Sequence, residues 1–187
     1  LISFLNEVID RRVGIPLTLS ILYIDIATRL GIPAYGIGLP GHFIVGIHDK
    51  EADIWLDPFH GGRVLDLADC VDFIYLSTGY EGPLEASWFD PFPALAILAR
   101  MLANLRAGYV GSRAWPQAAQ AIQLLRQVQP AEPEHLRDLG VVVYHKRNLP
   151  QAAYYLNYYL QRKPGAGDAQ VIREGIKHIL DEWVPLN

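Results

Sequence analysis

The spacing of apolar positions changes several times along the chain, and each spacing implies an element. Over residues 3–12, Phe4, Leu5, Val8 and Ile9 fall on one helical face. Gly14-Ile15 interrupts. Pro16 then suits the first turn of a second helix, where its missing N–H would have no partner anyway. That helix extends to about Leu30 and is apolar nearly all round (Leu19, Ile21, Leu22, Ile24, Ile26), which predicts burial. Asp25 and Arg29 are spaced to pair along it, and Gly31 ends it, with Pro33 just beyond. Alternation next replaces the helical period and predicts three short strands, 34–39, 42–48 and 53–57. The last two form a hairpin around Asp49-Lys50-Glu51-Ala52. Pairing Ile47 with Ile54 and Val45 with Leu56 puts all four on one apolar face, and a one-residue slip would mix the faces. The other face then carries His48 opposite Asp53, Gly46 opposite Trp55 and Ile44 opposite Asp57. There His42 and Asp57 become diagonal neighbours, roughly 5–8 Å apart at Cβ. Asp66 can cap a short helix ending near Leu76.

From about Pro93 the pattern is helical throughout, and it repeats. Trp115-Pro116-Gln117-Ala118-Ala119 returns as Leu149-Pro150-Gln151-Ala152-Ala153, and Pro130 returns as Pro164, each 34 residues on. That is the period of tetratricopeptide repeats, which stack helical hairpins and bind other proteins. Leu102, Leu105, Tyr109, Ala118, Ile122 and Pro130 form one unit; Leu136, Leu139, Gly140, Val143, Ala152, Leu156 and Pro164 form the next. A last helix, about 168–183, has an apolar stripe (Ile172, Ile176, Ile179, Leu180, Trp183) suited to capping the second repeat. Two repeats are fewer than the three usually needed for stability, so the module is expected to lean on the first domain.

Composition narrows the function. Apolar residues make up 51% and charged residues 19%, enough for packed cores. The net charge is −4 and no run of Lys or Arg occurs, which argues against nucleic acid. Residues 31–48 lack formal charges apart from histidine, but Pro33, Pro40 and several glycines break them into strands, so no membrane span is expected. Cys70 is the single cysteine, which fits a cytoplasmic protein. The chain opens on Leu1 instead of Met and reads as a fragment.

A Gly31-Ile32-Pro33-Ala34-Tyr35 segment after a buried helix, a His on one strand and an Asp-Pro on the next resemble the transglutaminase-like (papain-like) superfamily. The segments Leu5-Asn6-Glu7-Val8, Gly14-Ile15-Pro16-Leu17-Thr18-Leu19, Leu39-Pro40-Gly41-His42-Phe43 and Leu56-Asp57-Pro58-Phe59-His60-Gly61-Gly62-Arg63 are similar to the SirB family, a transglutaminase-like core followed by tetratricopeptide repeats. The resemblance covers nearly the whole chain. It implies a cysteine at the start of the buried helix, activated by the His, which the Asp orients. It also implies a further N-terminal helical region, which is expected to be missing from this sequence. His42 and Asp57 fall on the family's His and Asp. The nucleophile position, two residues after Gly14, holds Pro16, which has no nucleophilic side chain.

The expected architecture is therefore α+β: a transglutaminase-like core with a small antiparallel sheet (1–80), a linker (81–92) and an all-α module of two repeats plus a capping helix (93–187). Candidate catalytic residues are His42, Asp57 and Thr18, the hydroxyl nearest the absent thiol; Ser20 points about 200° round the helix from Thr18. Cys70 reads as a buried apolar side chain. His42, His48, His60, Asp53 and Asp57 match no zinc spacing, and His42 and His48 would lie about 20 Å apart along their strand, so neither metal nor cofactor is expected. Arg100, Asn104, Arg137 and Tyr144 are the candidate lining of a protein- or peptide-binding groove. The expected function is a non-catalytic interaction or regulatory module. The alternative is an amide-bond hydrolase or acyl transferase that uses the His–Asp pair with a non-cysteine nucleophile.

Overall fold

The computed structural model describes residues 4–49 and 52–183. Ser3 of the first expected helix and Lys50 and Glu51 of the hairpin turn lie outside the described residues. The chain forms two compact units, Leu1–Ile97 and Leu98–Asn187.

The first unit opens with α1 (Leu5–Arg11) and α2 (Pro16–Arg29). Pro16 occupies the first position of α2, and Asp25 pairs with Arg29 at 2.9 Å, as the spacing predicts. The sheet follows: β1 (Ala34–Ile37), β2 (Ile44–Ile47), β3 (Ile54–Asp57) and β4 (Arg63–Leu65), an antiparallel meander in chain order. The β2–β3 register is Val45↔Leu56, Gly46↔Trp55, Ile47↔Ile54, the pairing derived from the apolar alternation. The fourth strand corrects the expectation of three. Only three residues long, it carries too little alternation to register as a strand; a 3-10 turn at Pro58–His60 and left-handed Gly61 and Gly62 (φ 75° and 78°) return it antiparallel to β3.

Paired residues share a face, so Tyr35, Ile37, Ile44, Trp55 and Leu65 point one way. They pack on Cys70 and Ile74 of α3 (Leu67–Thr78), whose N-cap Asp66 accepts from Asp69 N–H at 2.9 Å. Residues 81–92, which the sequence sets aside as a linker, lay Leu84, Trp88 and Phe89 against this same core. Phe92 N–H also donates to Gly36 O at 2.8 Å. Helix α2 serves the opposite face, where Ser20 Oγ donates to Phe43 O at 3.3 Å and Ala27 shares a cleft with Ile47.

The second unit comprises most of α4 (Ala94–Gly111), then α5 (Trp115–Val128), α6 (Glu134–His145), α7 (Leu149–Arg162) and α8 (Ala169–Trp183). The 34-residue repeat extends to the backbone. Arg113 and Arg147 are both left-handed (φ 57° and 63°). The following amides reach back alike, Ala114 to Tyr109 O at 2.8 Å and Asn148 to Val143 O at 3.3 Å. Ala118 and Ala152 are fully buried between helices, next to Ile122 and Leu156. Gly140 is required by close approach: a Cβ there would stand 2.7 Å from Leu156 Cγ. Ile176 and Ile179 bring α8 onto this core, whereas Leu180 and Trp183 of the expected stripe are exposed.

Candidate functional site

The end of β3 gathers a compact polar cluster. Asp57 is completely buried, and its Oδ1 accepts the Phe59 N–H at 2.9 Å, which starts the 3-10 turn. That turn folds His60 back so that its Nδ1 lies 2.6 Å from Asp57 Oδ2. His42 follows the Pro40-Gly41 turn, where its N–H donates to Leu39 O at 3.1 Å, and its Nε2 lies 2.8 Å from the same Oδ2. Two imidazoles thus converge on one carboxylate oxygen. Phe73 of α3 stacks on both rings, at centroid distances of 4.7 Å to His42 and 5.5 Å to His60, and fixes their orientation. His42 is 7% exposed, while the His60 side chain is 48% exposed and forms the solvent side of the cluster.

Burial works against charge on Asp57. Hydrogen bonds from His42 and His60, the nearby His42 charge and the Phe59 amide outweigh it, and the carboxyl drops to about 2. Asp57 is therefore a carboxylate, suited to fix the tautomer and orientation of two imidazoles.

The nucleophile side is differently occupied. Pro16 sits at the helix start. The Thr18 hydroxyl accepts from Ile15 N–H and donates to Ile15 O, both at 3.1 Å, closing the first turn of α2. Ser20 bonds Phe43 O, next to His42 in the chain. Cys70 is fully buried; desolvation, with Asp69 and Asp66 nearby, pushes its thiol up to about 11.

On the repeats, Arg137 is held within the module. It contacts Asp138 at 2.8 Å and Asp168 at 2.9 Å, Asp138 also takes Arg106 at 2.6 Å, and Tyr159 Oη donates to Asp168 at 2.7 Å. Tyr144 Oη donates to Glu182 of α8 at 3.4 Å. Arg100 and Asn104 are half-buried on α4, and desolvation lowers the Arg100 pKa.

Two apolar clefts lie along this unit. One, of about 340 Å³, is lined by Val110, Trp115, Ile122, Val141 and His145 among others. The other, of about 220 Å³, is lined by Tyr144, Leu156, Val141, Gly175 and Ile179 among others. Moving Val110, Ile122, Val141 and His145 on by one repeat gives Tyr144, Leu156, Gly175 and Ile179, so the second cleft is the repeat copy of the first. Val141 lines both.

A transglutaminase-like superfamily model matches residues 2–103 and a tetratricopeptide-repeat model matches residues 105–177. A UPF0162 protein of Xylella fastidiosa is 34% identical over 97% of the chain, which spans 66% of that relative. Protein SirB1 of Salmonella typhimurium and UPF0162 protein YchA of Escherichia coli are each 23% identical over 98% of the chain and 68% of their own length. The chain belongs to the transglutaminase-like SirB family. It joins that core to tetratricopeptide repeats.

Within this SirB core, the structure brings His42 and Asp57 together and adds His60, which is not among the candidate catalytic residues. Spacing along a strand separates such residues, whereas Asp57-Pro58-Phe59-His60 is a turn that superposes its ends. His42, Asp57 and His60 offer ligand atoms all within 4.8 Å of one another, a grouping that the spacing along the strands does not anticipate. An Asp-Pro turn with His three residues on was the available signal. His48 and Asp53 lie outside this group; they pair with each other at 2.9 Å, and Tyr35 Oη donates to Asp53 at 3.0 Å. Among the described residues, no helix is long and apolar enough to cross a membrane.

Proposed function

We propose that this SirB-family chain is a cytoplasmic, non-catalytic transglutaminase-like protein whose repeats recruit a protein partner. One observation carries the reading: the core keeps His42 on Asp57 at 2.8 Å, but proline stands where the family's thiol belongs. A base without an attacking group cannot run covalent acyl transfer. The hydroxyl of Thr18 already serves the Ile15 backbone, and the Cys70 thiol is buried and protonated at neutral pH.

Partner binding rests on the repeats and their paired clefts. Arg137 is committed to two carboxylates, so its contribution to a groove with Arg100 and Asn104 is to shape it; Tyr144 contributes its ring as a wall. Val141, 43% exposed and shared by both clefts, is the residue whose replacement discriminates. Pull-downs with wild type, Val141→Glu and Arg137→Glu test the proposal. Loss of the captured partner with Val141→Glu, at an unchanged melting temperature, is expected. Equal capture by all three refutes it.

The retained His42–Asp57 pair favours the second reading, an amide-directed hydrolase or acyl transferase with Thr18 as nucleophile. It requires Thr18 to leave its helix-start hydrogen bonds; Thr18→Val abolishing a His42-dependent hydrolysis of small amide or ester substrates would support it.

A further inference from the structure

We propose that His42 Nε2, His60 Nδ1 and a carboxylate oxygen of Asp57 form a binding site for one divalent transition-metal ion of the zinc class. Two imidazole nitrogens and one carboxylate oxygen are the donor types such ions take, three protein ligands with further positions left for water or a small ligand. The atoms already converge: both nitrogens face the same Oδ2, at 2.8 and 2.6 Å. These are hydrogen-bond separations. Tetrahedral coordination at about 2.0–2.2 Å places neighbouring ligand atoms roughly 3.3–3.6 Å apart, so both pairs open by about 0.5–1 Å. His60, half-exposed on a short surface turn, takes the larger share of that movement, and the His42–Asp57 pair opens by the smaller.

The surroundings are those of a supported site. Asp57 Oδ1 is anchored by the Phe59 amide, and Phe73 stacks on both rings, so orientation is set before any ion arrives. Charge points the same way. Burying a carboxylate is costly unless its charge is compensated, and among the described residues its ion-pair partners are these two imidazoles, with no Lys or Arg. A divalent ion replaces the shared protons and supplies that compensation. Ligation needs the metal-facing nitrogens deprotonated, so uptake releases protons.

Equilibrium dialysis of the chelator-stripped full chain against Zn²⁺, with metal counted by mass spectrometry, tests this. One Zn²⁺ per chain is expected in the wild type. His60→Ala, a half-exposed position, is expected to weaken binding at least tenfold, whereas His48→Ala, at the separate His48–Asp53 pair, leaves it unchanged. A second readout needs no variant: ¹⁵N imidazole spectra of the wild type are expected to show His42 Nε2 and His60 Nδ1 shifting to metal-bound values on Zn²⁺ addition. Failure to take up stoichiometric Zn²⁺, equal uptake by His60→Ala, or imidazole signals unmoved by saturating Zn²⁺ overturns the proposal.

Discussion

Replacing Asp57 by alanine removes one fully buried carboxylate and three hydrogen bonds at once, from His42, His60 and the Phe59 amide. The costs are unequal. His60 is half-exposed and regains water. His42 is buried, and a buried donor left without an acceptor costs about 1–3 kcal/mol; the part-buried Phe59 N–H adds up to about 1 kcal/mol. The expected destabilisation of the first unit is therefore about 1–4 kcal/mol. Hydrogen exchange followed by mass spectrometry, in buffer with chelator, reads this locally on peptides covering 54–65 without requiring both units to unfold together. Asp57 also sets an acid limb. Its folded carboxyl lies at about 2, below the ordinary value near 4, so its stabilisation is fully present above about pH 4 and is lost as pH falls toward 2. That loss is roughly 2 kcal/mol in the wild type and absent from the variant. Exchange in 54–65 slowed equally in Asp57→Ala and wild type, or an acid limb that persists in the variant, refutes the account of this cluster.

Other consequences are quickly checked. Cys70, with its thiol at about 11, is expected to have only about 0.1% thiolate at pH 8 and to resist iodoacetamide until the first unit unfolds; rapid native alkylation contradicts this. Gly140→Ala forces a Cβ to 2.7 Å from Leu156 and should destabilise the repeats by about 1 kcal/mol after the gain in helix propensity. Gly175→Ala in α8 meets nothing within 4 Å and should stabilise by up to about 1 kcal/mol; melts moving in the same direction for the two variants refute the packing argument.

What the sequence made legible follows from how local each signal is. The hairpin register was readable because Val45, Ile47, Ile54 and Leu56 alternate without ambiguity. The repeat was readable because its period recurs in identical residue types. The Arg137–Asp168 contact was not, since those residues lie 31 apart and meet only once α8 turns back. His60 is not legible from strand alternation, because a tight turn superposes residues three apart. Leu84, Trp88 and Phe89 looked like linker because their segment is rich in Gly and Pro, although its aromatic rings fill the first core.

The central claim is that the missing attacking group, more than any loss of the base, silences this core. Intact-mass labelling with a broad electrophile tests it most directly, on wild type, His42→Ala, Pro16→Cys and the Pro16→Cys/His42→Ala double variant. The account predicts no His42-dependent adduct on the wild type and rapid modification of Pro16→Cys that the double variant loses. A wild-type adduct on Thr18 or Cys70 that vanishes in His42→Ala would contradict it.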